Sequence, residues 1–224
     1  MWMRRVLAVL LAGSLVGLGG HSCGSDEESA AGAVELVRLP PPVTEGRVSV
    51  EEALARRRSV RAFSGAPLPL ERLGQLLWSA QGVTDPRGLR TAPSAGALYP
   101  LEVYAVTPEG VFKYLPARHA LRKVKSGDVR KELAAAALGQ TWMARAPVCL
   151  VIAGVEARTA RKYGTRARRY VDIEVGCAAE NVFLQATALG LGSVPVGAFD
   201  DKKVKAVVGC AADEEPLLIV PVGE

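Results

Sequence analysis

Histidine is nearly missing from this chain of 224 residues; only His21 and His119 occur. That scarcity excludes a histidine-based metal centre and leaves a Ser-His-Asp triad almost no raw material. Cysteine is also sparse. Cys23, Cys149, Cys177 and Cys210 stand singly with no C-x-x-C pair, and an odd number beyond Cys23 argues against a disulfide framework. No glycine-rich Rossmann fingerprint and no internal repeat are present. The apolar run from Val6 to Leu18 falls short of the roughly 20 residues that cross a bilayer as a helix.

What is present suits one globular domain: 49% hydrophobic residues and 23% charged ones over 224 positions, enough for a sizeable core. The formal charge of +5 falls to +3 without Arg4 and Arg5, too little to indicate nucleic acid as a partner. The positive charge gathers at Arg56–Arg61 and Arg158–Arg169, which suits a local phosphate-bearing ligand better than a polyanion. Arg4-Arg5 followed by the short apolar run reads as a signal peptide over residues 1–23. Its end, Gly20-His21-Ser22-Cys23 before an acidic stretch, is similar to a bacterial lipoprotein cleavage site with Cys23 as the lipidated residue. Ordinary signal cleavage and an uncleaved anchor are the other readings. Arg4-Arg5-Val6-Leu7 also faintly resembles a twin-arginine signal. The expectation is an exported protein of the cell envelope that meets a membrane only through a lipid anchor.

Residues 24–48 read as a tether ending in the extended Leu39-Pro40-Pro41-Pro42, which passes across the folded body. The folded domain is expected over 49–224. Ser49-Val50-Glu51-Glu52 forms a capping box, and the helix it starts ends in the arginine run. Leu70, Leu73, Leu76 and Leu77 give a second helix up to Gly82. Leu101–Thr107 and Val111–Leu115 form a hairpin. Asp128 caps an Ala-rich helix to about Ala137, Val148–Ala153 is a central strand, and a long helix spans about Arg168 to Leu189. Asp200 starts a short basic helix, and Leu217–Val222 is a buried strand. Helices mixed with strands outside regular βαβ units indicate the α+β class. Cys149 and Cys177 read as core, and His119 as a surface residue.

Arg56-Arg57-Arg58-Ser59-Val60-Arg61 puts four guanidinium groups and a hydroxyl within six residues, at a helix end. Such forks bind phosphate and carbonyl oxygens, although a solvated basic helix end also satisfies the pattern. Thr91-Ala92-Pro93-Ser94-Ala95-Gly96-Ala97-Leu98-Tyr99-Pro100 is small, proline-stiffened and rich in backbone amides that can lie against a flat ring. With Leu39-Pro40-Pro41-Pro42 before them and Lys162-Tyr163, Gly176–Leu184 and Gly190–Phe199 after, in order over some 180 residues from about Leu39 to Glu224, these runs resemble the nitroreductase superfamily. The resemblance is nearest to its azoline-forming (SagB-type) dehydrogenase branch.

That resemblance implies a mostly antiparallel sheet flanked by helices, a long central helix at a homodimer interface, and FMN as cofactor. Arg57, Arg58, Ser59 and Arg61 would hold the FMN phosphate, the ribityl chain and the N1–C2 edge, with Lys202, Lys203 or Lys205 as further phosphate candidates. Pro93, Ser94, Ala95 and Gly96 would touch the flavin of the other subunit. Gly197 and Ala198 would bring a main-chain amide near N5, where many relatives carry a glutamate. Lys162 and Tyr163 would assist proton removal, as in azoline oxidation; a solvated basic face is the rival reading of that run. The expected function is FMN-dependent hydride transfer to or from a small organic substrate, with NAD(P)H as donor. Oxidation of peptide azolines is an alternative, and a non-catalytic flavin-binding or ligand-binding lipoprotein is another, of a different class.

Overall fold

The computed structural model describes residues 35–224, so the signal-peptide reading and Cys23 lie outside the described residues. Among these, seven strands build one sheet: β1 (Leu36–Arg38), β2 (Leu101–Thr107), β3 (Gly110–Leu115), β4 (Ala120–Ser126), β5 (Val148–Gly154), β6 (Gly192–Ser193) and β7 (Glu215–Gly223). They lie in the order β1-β4-β3-β2-β5-β7-β6, every pair antiparallel. The expected hairpin closes at Thr107 opposite Gly110. β5 sits near the centre and is buried along its whole length. Its continuous apolar run follows from having helices on both faces of the sheet.

Alternation along β2 sorts the core into two layers. Val103 and Ala105 face α2 (Leu70–Gln81) and α5 (Ala167–Ala188). Tyr104 and Val106 face the opposite layer, where α3 (Arg130–Ala136) and α6 (Asp201–Val208) contribute Leu133, Val204 and Val208. α1 (Val50–Arg56) is capped as expected, with the Ser49 hydroxyl accepting from the Glu52 amide. α4 (Glu156–Tyr163) precedes the long helix. The α+β architecture with a long central helix is therefore the observed one, and no helix among the described residues is long and apolar enough to cross a membrane.

Several local expectations change. The described part of the tether takes a place in the sheet as β1, opposite Ala120–Arg122, because the outer edge of β4 offers unpaired backbone groups. Asp128 does not cap α3. It accepts from the Arg130 amide and grips the Arg130 guanidinium, and Val129 occupies the capping position. His119 is no surface residue. It adopts φ 42 at the β3–β4 turn, so its ring turns inward between the Tyr114 hydroxyl (2.9 Å) and the Pro40 carbonyl (2.8 Å). Burial holds its imidazole below the ordinary value. Cys149 is buried, as expected, while Cys177 is only half-buried.

Candidate active site

The arginine run leaves α1 at the C-cap, where the Arg57 amide still bonds Ala53. Arg58 folds back so that Nη1 donates to the carbonyls of Ala55 (2.9 Å) and Arg57 (2.7 Å), a favourable place for a cation at a helix C-terminus. The chain then runs beside β6. Ser59 bridges Ser193 in parallel, and the Val60 amide donates to the Ser193 carbonyl at 3.1 Å. This approach needs glycine at 192, since a Cβ there would lie 2.7 Å from Val60 Cβ. Arg58, Ser59 and Arg61 are exposed and Arg57 is half-buried. None of these three arginines joins an ion pair among the described residues.

The same β6 segment leads to Gly197 and Ala198, both exposed. Val196 exchanges amide and carbonyl bonds with Ile219 (2.8 and 3.0 Å), and Gln140 Nε2 donates to the Ala198 carbonyl at 3.2 Å. A Cβ on Gly197 would meet nothing within 4 Å, so its backbone faces open space. It borders a cavity of about 340 Å³ that reaches Arg168, Asp172 and Val175 of α5. Lys203 is paired with Asp200 and Lys205 with Glu215, which ties these two phosphate candidates to other groups.

The second half of the site lies between α2 and β2. Gly96, Ala97 and Tyr99 all have left-handed backbone, at φ 63, 53 and 47, a concentration of strain that surrounding contacts must hold. Tyr99 is gripped from three sides. Its amide donates to Ser94 Oγ (2.9 Å), its carbonyl accepts from Arg158 Nη1 (3.1 Å), and the Arg90 guanidinium lies 4.5 Å from its ring centroid. α4 delivers Lys162 and Tyr163 to this loop. A Cβ at Gly96 would lie 3.0 Å from Tyr163 Oη and 3.1 Å from Lys162 Nζ. The Tyr163 ring in turn meets Tyr170 edge-on at 4.9 Å. Pro93, Ser94, Ala95 and Gly96 thus share one place with Lys162 and Tyr163.

These two halves do not meet within the chain. Arg168, Asp172 and Val175 line the first cavity, whereas Tyr170, Ile173, Glu174 and Cys177 line a second one of about 260 Å³ beside Pro93–Ala95. At 3.6 residues per turn the two sets lie about half a turn apart on α5. The exposed Arg169, Asp172, Ile173 and Gly176 form the ridge between them.

Sequence reasoning missed several residues here. Glu174 is 3% exposed. Its Oε1 is buried without a hydrogen-bond partner. Burial pushes its carboxyl up to about 7, against the opposing influence of Ser94 and Arg90. Its signal was a charge at the third and fourth spacing from Val171 and Ala178, inside an apolar stripe. Arg158 of α4 also binds Glu102, and Glu102 pairs with Lys113 at 3.1 Å. Lys113 in turn meets Glu214, which accepts from the Tyr104 hydroxyl and, at 3.0 Å, from the Ala211 amide. Lys113 falls on an inward position of β3, an unusual place for a charge and readable as such. Burial pushes the thiols of Cys149 and Cys210 up to about 12, so neither is a ready nucleophile. No cluster of metal-ligating side chains occurs among the described residues.

The residues present fit a flat, phosphate-bearing cofactor. Arg57, Arg58 and Arg61 join no ion pair among the described residues, Gly197 leaves its backbone open beside a cavity, and Gly96 lies close against the ends of the Lys162 and Tyr163 side chains. The sequence profile of the Nitroreductase family matches residues 54–224. A Methanocaldococcus jannaschii protein named "Putative nitroreductase MJ1384" is 48% identical over 182 residues, covering 79% of this chain and 91% of its own. The crystal structure of a "putative nitroreductase" from Ralstonia eutropha superposes with a TM-score of 0.77 at 31% identity, covering 84% of this chain and 89% of that one. The NADPH:FMN oxidoreductase of Vibrio harveyi, complexed with NAD+, shares the fold at a TM-score of 0.60 and 21% identity over 78% of this chain and 68% of that one. Two halves on one scaffold, with the profile running from the end of α1 to the last strand, lead to one conclusion: the chain belongs to the nitroreductase family of oxidoreductases.

Proposed function

We propose that the protein is an FMN-dependent oxidoreductase that takes electrons from NAD(P)H, acts on a small organic substrate, and completes its site between two copies of the chain. When bound, FMN supplies hydride chemistry at its N5. Arg57, Arg58 and Arg61 bind the phosphate and carbonyl edges through charge-assisted bonds, and the Ser59 hydroxyl adds a neutral donor. The exposed Gly197–Ala198 backbone orients the ring. Pro93–Gly96 of the second copy covers the ring and excludes water. Lys162 and Tyr163 arrive with that loop and hold or move a proton at Nζ and Oη.

One observation carries this reading: the Ser59–Ser193 bridge, which joins the Arg57–Arg61 run to the segment bearing Gly197. Its two-copy form is supported by the placement of the halves on opposite flanks of α5. It is supported further by exposed apolar residues on two helices that pack together, Val50 and Leu54 of α1 and Ile173 of α5. Location in the cell envelope with a lipid on Cys23 belongs to the same proposal.

The test is the absorption spectrum of the FMN-loaded protein before and after anaerobic NADH or NADPH. Bleaching supports the reading. Bound flavin that stays oxidised with both nicotinamides, and loses its colour only with a thiazoline peptide, favours the azoline dehydrogenase. That second reading has its own support in the approach of Lys162 and Tyr163 to Gly96. No bound flavin would sink both and leave a ligand-binding protein.

A further inference from the structure

We infer that Arg158 is a positioning residue: it locks α4 to the strained end of the Pro93–Tyr99 loop and thereby fixes where Lys162 and Tyr163 stand against Gly96. Its guanidinium divides between two neighbours. Nη1 donates to the Tyr99 carbonyl at 3.1 Å, and Nη2 binds Glu102 Oε1 in β2. One planar fork thus spans the last left-handed residue of the loop, at φ 47, and the second residue of the strand that follows. The main chain makes the same junction, because the Val155 amide at the start of α4 donates to the Pro100 carbonyl at 2.9 Å. Lys162 lies one turn beyond Arg158 on α4, on the same side of the helix. The end of α4 bonded to Tyr99 and the end that reaches Gly96 therefore move as one body.

The anchor under this fork is firm. The Glu102 side chain is 14% exposed and gives its other oxygen to Lys113 at 3.1 Å, and Lys113 meets Glu214. Desolvated pairs of this kind are screened little by salt, so Glu102 holds a fixed direction. Arg168, from the same basic run, shows the contrast: it pairs with Asp172 of its own helix, and both are exposed. The other two groups on Tyr99, Ser94 Oγ and the Arg90 guanidinium, come from the chain leading into the loop, whereas Arg158 brings in a separate element. Left-handed backbone at Ala97 and Tyr99 persists only where its surroundings hold it. A displacement of about 1 Å at a proton-handling group costs on the order of a hundred-fold in rate. The effect on turnover rests on the flavin reading above, in which Lys162 and Tyr163 hold or move a proton.

Two variants of the full chain test this role, Arg158→Gln and Arg158→Lys. Both leave Glu102 its bond to Lys113, so no buried carboxylate is orphaned. The first readout needs no flavin: amide hydrogen exchange of residues 94–99 and 160–163, referenced to β5. In Arg158→Gln it should rise about ten-fold, the worth of one charge-assisted bond, with β5 unchanged, and in Arg158→Lys it should rise less. The second readout is turnover with FMN, NADPH and a neutral nitroaromatic, 4-nitrobenzamide, as probe. Arg158→Gln should lower kcat about ten-fold or more while KM stays within about two-fold, and Arg158→Lys should recover part of the loss. Exchange at the wild-type level, or loop and β5 loosening together, overturns the inference. So does a loss confined to KM, or unchanged turnover despite a looser loop. A wild-type chain that binds no flavin and reduces nothing removes the flavin reading. A looser loop in Arg158→Gln with β5 unchanged then leaves the clamp between α4 and Tyr99 in place.

Discussion

Replacing Lys113 with methionine removes one charge from a buried, balanced set. Lys113 and Arg158 face Glu102 and Glu214, and the Lys113 and Glu214 side chains are only 10% and 3% exposed. Methionine fills the same stem volume, so the packing of β3 changes little. What is lost is the partner of a desolvated carboxylate, and breaking one side of such a pair costs about 3–5 kcal/mol. Burial alone would raise the Glu214 carboxyl, but bonds from Lys113 and Tyr104 bring it below the ordinary range. A depressed carboxyl adds stability above its unfolded value, and that share is lost as pH falls through the folded value.

Lys113→Met removes the main cause of the depression, so Glu214 is then held up by burial. The defect should be largest at neutral pH and shrink toward pH 4 as the carboxyl takes a proton. Urea unfolding at pH 7 and pH 4 measures both quantities. Adding Glu214→Gln to Lys113→Met should recover part of the loss, with a coupling of about 1–3 kcal/mol. A single-variant cost below about 1 kcal/mol at pH 7, well under the buried-pair range, would refute the reasoning. Equal costs at both pH values, or strict additivity, would do the same.

Gly192→Ala should push β6 off Val60, given the 2.7 Å approach. It should cost about 1–3 kcal/mol by overpacking, read as a lower thermal midpoint, and weaken FMN binding by separating Ser59 from Ser193. Gly96→Ala places a methyl near Lys162 Nζ and Tyr163 Oη at φ 63. The left-handed strain should cost about 1–2 kcal/mol, with turnover falling further than stability because the displaced groups are the proposed proton carriers. Arg61→Ala should weaken FMN affinity about ten-fold or more, the worth of one charge-assisted bond, without moving the thermal midpoint of the flavin-free protein. An unchanged flavin titration would remove Arg61 from the phosphate site.

Where one local force acts alone, the sequence is readable. The Ser49 cap, the leucine spacing of α2 and the apolar run of β5 each yield their element within a residue or two. β4 escaped because Leu121, Lys123 and Lys125 break the apolar alternation near the sheet edge, where only β1 covers the backbone. α4 escaped because half of its eight residues are charged, and its helicity comes from packing against α5. In the site, the arginine run and the Pro93–Gly96 loop are conspicuous because their composition is odd. Glu174, Lys113 and Glu214 are not, because each matters through a partner more than 75 residues away in the chain.

The helix that separates the two halves also sets an accounting of copies. A chain impaired at Arg61 still owns a sound Lys162–Tyr163 half, and a chain impaired at Lys162 still owns a sound arginine half. In the proposed pairing, one mixed assembly of these two defective chains contains a site built wholly from intact halves and another built wholly from damaged ones. Two alleles that are each silent alone therefore complement when expressed together. That behaviour arises from the half-turn on a single helix between the Arg168–Asp172–Val175 face and the Tyr170–Glu174–Cys177 face, and it would vanish if both halves lay on the same flank.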